Sequence, residues 1–182
     1  MMFDLKLPER IYGAYIFDCD GTLAHSMPLH LKAWNHGLAA AGTHLRLDPE
    51  GFMSVAGMAL AQTIDYWNEI HDLRIDADTV IEAKNAYFLK HRHTVQPIPP
   101  VTDFARKLYA QKTPIAVASG GHRDDVQSTL EIIGVSELFS VVITANDVKR
   151  AKPAPDLFLL AAKRLGVDPK DCCVLEDSPL GI

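Results

Sequence analysis

Short runs of apolar residues recur along the chain, and polar or acidic residues follow most of them. The runs extend over Tyr12 to Phe17, Pro114 to Ser119, Phe139 to Ala145 and Cys172 to Leu175. Short runs rich in β-branched and aromatic residues are typical of buried strands. Because helical patterns separate the last three runs, the chain is predicted to form parallel βαβ units.

Apolar residues at helical spacing mark the elements between these strands. The predicted buried faces consist of Val101, Phe104, Ala105 and Leu108; of Val126, Leu130 and Ile133; and of Leu157, Leu160, Ala161 and Leu165. Gly134 follows the second face and Gly166 follows the third. Glycine adopts the left-handed conformation that often ends a helix, so both positions are predicted helix ends.

The first half of the chain breaks this alternation, because a long stretch without a convincing strand follows the first run. Helix starts are predicted at Pro28, at Asp48-Pro49-Glu50 and at Asp76, and Pro97, Pro99 and Pro100 mark a linker back to the core. The pattern therefore predicts an α/β core formed by residues 1–24 and 96–182. An all-helical insert at 25–95 interrupts it.

Composition narrows the class of protein. The 182 residues carry a net charge of -5, so the basic face of a nucleic-acid-binding protein is not expected. Three cysteines without a CxxC motif favour a reducing compartment over a disulfide framework or a structural zinc site. Since no segment resembles a signal peptide or a membrane span, the chain is interpreted as cytoplasmic, without a membrane partner. The oligomeric state is not readable from these patterns.

Two aspartates follow the first predicted strand, in the sequence Asp18-Cys19-Asp20-Gly21-Thr22. Ligands of open parallel sheets bind outside the carboxyl ends of the strands, so both carboxylates are expected at one site. A carboxylate at that position can bind a hard cation or act as a nucleophile. The alternative is that this segment is only a turn after a strand.

The ends of the other strands carry groups that suit a phosphate or a metal ion. Ser119-Gly120-Gly121 offers a hydroxyl and backbone N–H groups for a phosphate, although Ser-Gly is also a common loop dipeptide. Lys152, after the third strand, can neutralise phosphate charge or can simply be solvated. Glu176 and Asp177 end the fourth strand, where they indicate a metal site or a helix cap by Asp177.

Taken in order, the motifs DxDGT, a strand-terminal serine, KPxPD and EDS resemble those of the haloacid dehalogenase-like hydrolases. The resemblance covers all 182 residues, and the insert is similar to a C1-type helical cap. It is strongest for the β-phosphoglucomutase-like branch, which includes sugar-phosphate phosphatases. This likeness implies a Rossmann-like parallel sheet and a Mg²⁺-dependent phosphatase that acts on a small phosphate ester through an aspartyl-phosphate on Asp18.

The resemblance also implies a role for each residue of the first motif. Asp18 matches the nucleophile of the family. Asp20 matches the general acid/base, which protonates the leaving oxygen and later deprotonates water, and its backbone carbonyl is expected to reach Mg²⁺. Thr22 is expected to hold the turn and the side chain of Asp20. Because a halide leaves without protonation, Asp20 favours phosphoryl transfer over dehalogenation.

The remaining motifs match phosphate- and metal-binding positions of the family. Ser119 and Lys152 match phosphate-binding residues, and Gly120 is expected to offer its backbone N–H beside Ser119. Asp177 matches a Mg²⁺ ligand, and Glu176 matches a further ligand or an acceptor behind the ligands. The resemblance thus predicts that all four strand ends contribute to one site.

Three residues of the insert resemble positions that face the active site in relatives. His30 and Trp34 match positions on the first cap helix, where the histidine of the related mutases positions the acid/base. A surface histidine and a core tryptophan are the alternatives. Lys84 matches a cap lysine of the mutases, or is a solvated lysine.

Two departures from the family pattern bear on function. The loop from Val55 to Leu60 contains no charged residue where the mutases carry an arginine for a second phosphate. Hydrolysis of a one-phosphate substrate, a sugar phosphate above all, is therefore favoured. A phosphosugar mutase, or an inactive phosphate- and metal-binding relative, stays open as an alternative.

The second departure concerns the end of the chain, because relatives continue beyond the position of Ile182 with a helix and at least one more strand. The C-terminal part of the core is accordingly expected to be missing. Lower stability, self-association or low activity would follow from the uncovered sheet.

Overall fold

The computed structural model describes residues 9–56, 58, 60–178 and 181. Within these ranges, one parallel sheet is formed by β1 (Ala14–Phe17), β2 (Ile115–Ala118), β3 (Val141–Ile143) and β4 (Cys172–Leu175). The strand order is β3-β2-β1-β4, so the first strand of the chain lies inside the sheet. Tyr15 is in register with Ile115 on one side and with Cys173 on the other. The parallel α/β core predicted from the sequence is confirmed.

Seven α-helices lie in the described part of the chain. They are α1 (Met27–Ala40), α2 (Pro49–Met53), α3 (Leu60–His71), α4 (Ala77–His91), α5 (Pro99–Ala110), α6 (Arg123–Ile132) and α7 (Asp156–Leu165). The predicted stops Gly134 and Gly166 have φ angles of 68° and 72°, in the left-handed region that favours glycine. Asp48 and Asp76 are N-caps, since each accepts a hydrogen bond from a first-turn N–H.

Three of the strands are shorter than the apolar runs that predict them. Phe139 shows why, since it precedes β3 and is buried without belonging to the strand. Its ring contacts that of Phe17 in an edge-to-face arrangement at 5.8 Å. Phe139 is therefore apolar because it packs over the sheet, although it does not pair in a strand. For this reason, an apolar run overestimates the length of the strand that it predicts.

The chain divides into two compact units. The first contains the described residues up to His25 and from Val95 onward, and the second contains Ser26–Thr94. These boundaries differ by one residue at each end from the predicted insert at 25–95. The first unit holds the sheet with α5, α6 and α7, and the second holds α1 to α4.

The two inner strands, β1 and β2, are buried on both faces, as is usual for parallel strands. All four residues of β1 are buried. On one face, Ile16 packs with Leu157 and Ala161 of α7. On the other, the Phe17 ring lies 6.3 Å from that of Phe104 of α5. Burial of a side chain of this size stabilises the fold by about 1.5–3 kcal/mol, so α5 and α7 hold β1 in place.

The helical unit has a core of its own. Trp34 of α1 and Trp67 of α3 meet edge to face with ring centroids 5.0 Å apart, and Leu38 and Ile64 are fully buried beside them. Helix α3 was missing from the sequence-based prediction. None of the described helices is long and apolar enough to cross a membrane.

Two expectations fall partly on residues that the structure does not describe. Gly57 and Ala59, in the uncharged loop from Val55 to Leu60, lie outside the described residues. At the end of the chain the same holds for Pro179, Leu180 and Ile182.

Candidate active site

The turn after β1 fixes the first carboxylate of the site. Asp18 continues the ladder beyond the strand, because its N–H donates to the Leu175 carbonyl at 2.9 Å. The chain then folds back, and the Cys19 carbonyl accepts hydrogen bonds from the N–H groups of Leu23 at 3.0 Å and Ala24 at 2.9 Å. Asp18 is thus held rigidly at the carboxyl edge of the sheet, where it is 5% exposed.

Gly21 is required in this turn for two reasons. Its φ angle is 90°, which strains any residue with a side chain. A Cβ atom there would also overlap the Asp177 carboxylate. The turn therefore brings the backbone of the first motif against the carboxylate that follows β4.

Lys152 joins two of the carboxylates. Its Nζ atom lies 2.6 Å from Asp18 Oδ1 and 2.6 Å from Glu176 Oε2. The three side chains are only 6%, 7% and 4% exposed for Lys152, Asp18 and Glu176. Buried charges need partners of opposite charge. Lys152, in the loop after β3, is the partner of both carboxylates. The lysine is therefore not simply solvated.

Burial and like charge perturb the acidity of these groups. Burial, helped by the charges of Glu176 and Asp20, raises the pKa of Asp18 to about 8, although Lys152 opposes this rise. Burial would lower the pKa of Lys152, but Asp18 and Glu176 outweigh it and raise that pKa above its ordinary value. The site therefore holds more acidic groups than its lysine can neutralise, which leaves a demand for another cation.

Asp177 completes the acidic cluster. Its Oδ1 atom accepts a hydrogen bond from Thr22 Oγ1 at 3.3 Å. Burial and then the Glu176 charge raise its pKa above the ordinary value, although the Thr22 bond opposes them. The sequence predicts that Thr22 holds the turn and the side chain of Asp20; in the structure, its bond to Asp177 also links the turn to the residues after β4.

The arrangement of the carboxylates fits a divalent cation. Oxygen atoms of Asp18, Glu176 and Asp177 all lie within 4.8 Å of one another. With all three ionised beside protonated Lys152, this cluster carries two net negative charges, which one divalent cation would neutralise. Mg²⁺ prefers such oxygen ligands. The side chain of Asp20 is not among these three, and the expectation that its backbone carbonyl reaches the metal stays a prediction.

Ser119 and Asp20 lie at the same edge of the sheet. The Ser119 N–H donates to the Ile143 carbonyl at 2.9 Å, and its Oγ accepts from the Gly121 N–H at 3.1 Å. A Cβ atom on Gly121 would lie 3.5 Å from Ser119 Oγ and 4.0 Å from Asp20 Oδ2. Gly120 is exposed and nothing lies within 4 Å of a Cβ built on it, so a ligand can approach its backbone.

The three predicted cap residues belong to the helical unit. His30 stacks on Phe88 with ring centroids 4.3 Å apart. Trp34 is a member of the helical core. Lys84 is buried rather than solvated, and its Nζ lies 5.6 Å from the Trp34 ring centroid. A lysine can bury its aliphatic stem against apolar neighbours, which a sequence pattern does not reveal.

Two contacts beside Lys152 were missed by sequence reasoning. Its Nζ lies 5.1 Å from the ring centroid of Phe158, in the first turn of α7. Just before it, Arg150 forms a fork with Asp156 through bonds of 3.0 and 2.7 Å. An aromatic residue in a helix usually indicates core packing. The sequence therefore gave no sign that the Phe158 ring lies near Lys152.

The sequence and the structure are similar to those of known proteins. The family described as "Hydrolase: haloacid dehalogenase-like hydrolase" matches residues 12–182. Fructose-1-phosphate phosphatase YqaB of Escherichia coli is 33% identical over 94% of this chain and 89% of its own length. Hexitol phosphatase A of Escherichia coli is 29% identical over 92% of this chain and 76% of its own.

Among solved structures, a variant of CbbY from Rhodobacter sphaeroides in complex with Xylulose-(1,5)bisphosphate is similar to this chain. The TM-score is 0.80 at 25% identity, over 94% of this chain and 80% of the other. At this coverage, the likeness extends over both units.

Proposed function

Because this chain belongs to the haloacid dehalogenase-like hydrolases, we propose that it hydrolyses a small phosphate monoester, with Asp18 as the nucleophile and Mg²⁺ as cofactor. The observation that carries this proposal is the buried contact of Asp18 with Lys152 at 2.6 Å, inside a cluster of carboxylates at the edge of the sheet. Lys152 holds this carboxylate in place and favours its ionised form, which is the form that can act as a nucleophile.

Asp18 would attack phosphorus, so that a bond forms between its carboxylate oxygen and phosphorus while the bond to the ester oxygen breaks. Lys152 offsets the repulsion between the carboxylate and the anionic phosphate. The lysine also touches Glu176, and this contact holds the ammonium group in place between both partners. The bound Mg²⁺, held by Asp18, Glu176 and Asp177, would supply further neutralisation of phosphate charge.

Asp20 is the acid/base of the proposal. Its carboxyl group would give a proton to the leaving alkoxide in the first step. In the second step it would take a proton from water as that water attacks phosphorus and releases Asp18. Its position beside Ser119 and Gly121 supports this role, since those residues would bind the oxygens of the same phosphate.

A sugar phosphate is the proposed substrate class. The two phosphatases reported above act, by name, on fructose 1-phosphate and on hexitol phosphates. The described residues of the loop from Val55 to Leu60 carry no charge, which suits a substrate with one phosphate. Within the proposal, His30, Trp34 and Lys84 are the candidate substrate contacts of the helical unit.

The test measures phosphate release from a panel of sugar phosphates with and without Mg²⁺. Asp18→Asn keeps the shape of the side chain and removes the nucleophile, and Asp168→Asn, on an exposed turn, is the matched control. Activity that needs Mg²⁺, persists in the control and is lost in Asp18→Asn supports the proposal. Equal activity of the two variants would refute it, and a strict requirement for an added bisphosphate would identify a mutase.

A further inference from the structure

The first turn of α6 is capped from a neighbouring loop. His122 occupies the N-cap position, and its side chain makes no capping hydrogen bond. Asn146 Oδ1 instead accepts a hydrogen bond from the Arg123 N–H at 3.0 Å. The first N–H groups of a helix have no partner within the helix, so Asn146 satisfies one of them from outside. The segment 119–122, here named the Ser119 loop, thus ends at a helix whose start depends on another loop.

That other loop, residues 144–147, is here named the Thr144 turn. Its own shape depends on Asp147, whose Oδ2 atom accepts from the Thr144 N–H at 2.8 Å and from Thr144 Oγ1 at 3.0 Å. Arg123 Nη2 donates to the same carboxylate and lies 2.6 Å from each of its two oxygens. Charge-assisted contacts of this geometry are stronger than neutral ones. Asp147 therefore holds the Thr144 turn and the first residue of α6 together.

Backbone contacts complete the connection. Ser119 donates to the Ile143 carbonyl at 2.9 Å, and the Ala145 N–H donates to the Gly121 carbonyl at 3.2 Å. Between these contacts lies Gly120, which with Gly121 leaves the Ser119 loop with little conformational preference of its own. The order of the loop must therefore come from the contacts with the strand end and turn beside it.

We propose that Asn146, acting with Asp147, is a positioning residue that holds the Ser119 loop in its phosphate-binding conformation. This inference rests on the proposed function, because it assumes that Ser119 and the loop N–H groups bind phosphate. A loop that is ordered in advance loses less entropy when it binds. Loss of one capping bond corresponds to about five- to tenfold weaker phosphate binding.

The experiment measures binding of inorganic phosphate by calorimetry in the presence of Mg²⁺, so that it does not depend on turnover. Asn146→Leu keeps the size of the side chain and removes the acceptor. Asn146→Asp keeps the acceptor. We expect about five- to tenfold weaker binding for Asn146→Leu and binding within about twofold of the wild type for Asn146→Asp.

A matched control separates positioning from general loss of stability. Asp76 caps α4 in the helical unit by accepting from the Thr79 N–H at 2.9 Å. Asp76→Ala therefore removes a similar cap and lowers the melting temperature, but it should leave phosphate binding unchanged. The inference is overturned if Asn146→Leu binds phosphate as Asp76→Ala does, or if both variants of Asn146 bind equally weakly.

A second variant guards against loss of folding in the first. Arg123→Met removes the contact with Asp147 and leaves Asn146 intact, and about threefold weaker phosphate binding is expected. Unchanged binding would remove the contact between Arg123 and Asp147 from the inference. If the wild-type chain binds phosphate but releases none from any ester, the proposed function is refuted. The binding of the Asn146 variants would then still test this inference. A wild-type chain that does not bind phosphate would overturn it.

Discussion

Neutralising Asp177 should stabilise the metal-free protein, although it removes a proposed metal ligand. Asp177→Asn keeps the shape of the side chain, and its Oδ1 atom can still accept the hydrogen bond from Thr22 that is 3.3 Å long in the native structure. What changes is the charge, in a cluster where three carboxylates lie around one ammonium group. Residues arranged for binding a ligand commonly reduce the stability of the free protein.

The expected size follows from the geometry. Two carboxylates 4.8 Å apart repel by roughly 3–4 kcal/mol at an effective dielectric constant of about 20. Because Asp177 is exposed, water and salt screen most of this repulsion, and a gain of about 1 kcal/mol is expected. For a chain of this length that gain raises the melting temperature by about 2–4 °C.

The assay is a thermal melt with EDTA and with Mg²⁺. A wild-type chain in about 100-fold excess of Mg²⁺ over its dissociation constant gains about 2.7 kcal/mol, and Asp177→Asn should gain less. Asp156→Asn is the control of opposite sign, since the Arg150 fork holds the pKa of Asp156 below its ordinary value. A lower melting temperature of Asp177→Asn in EDTA, or a full response to Mg²⁺, would refute the reasoning.

Four further predictions concern the same fold. Lys152→Met removes the ammonium group 2.6 Å from Asp18 and should lower kcat by about 100- to 1000-fold in a phosphate-release assay; a loss below tenfold would contradict this. Gly21→Ala places a Cβ against the Asp177 carboxylate and should abolish the rise in melting temperature with Mg²⁺, whereas a retained rise would show that the turn adapts. Leu38→Ala, at a fully buried position, should reduce the free energy of unfolding by about 2–5 kcal/mol in urea, and a change below about 1 kcal/mol would contradict tight packing there. Finally, the pKa of Asp18 is about 8 in the folded chain against 3.8 ordinarily, so the folded chain binds this proton more tightly than the unfolded chain does. The free energy of unfolding of the metal-free protein should therefore fall as pH rises between these two values. Urea titrations in EDTA should show this slope, and Asp18→Asn should reduce it.

The sequence predicted the sheet because its strands are short, apolar and separated by helices with clear ends. Gly134 and Gly166 ended helices as expected, since their left-handed conformations are a local requirement. Helix α3 was missed because it carries polar residues beside Ile64 and Trp67. The packing of these two side chains is visible only in the folded helical core that surrounds them.

The candidate site could be predicted as a set of strand ends, because parallel strands bring their carboxyl ends to one edge. The individual contacts could not. The bond between Thr22 and Asp177 joins residues separated by 155 positions, and Lys152 has two carboxylates within reach. Which pairs form depends on distances of a few tenths of an ångström, and those come from packing rather than from a motif.

The central position of β1 has a consequence for the order in which the chain is made. Tyr15 pairs with Ile115 on one side and with Cys173 on the other, so both of its neighbours are synthesised much later. At about 5–20 residues per second, the wait for β2 alone lasts roughly 5–20 seconds. During that interval the apolar strand that carries Asp18 has emerged without its partners, while the contacts of Ser26–Thr94 can already form. The nascent chain therefore spends this interval with a strand unpaired whose four residues are all buried in the folded chain, and a chaperone that binds extended apolar segments should find a target at residues 14–17.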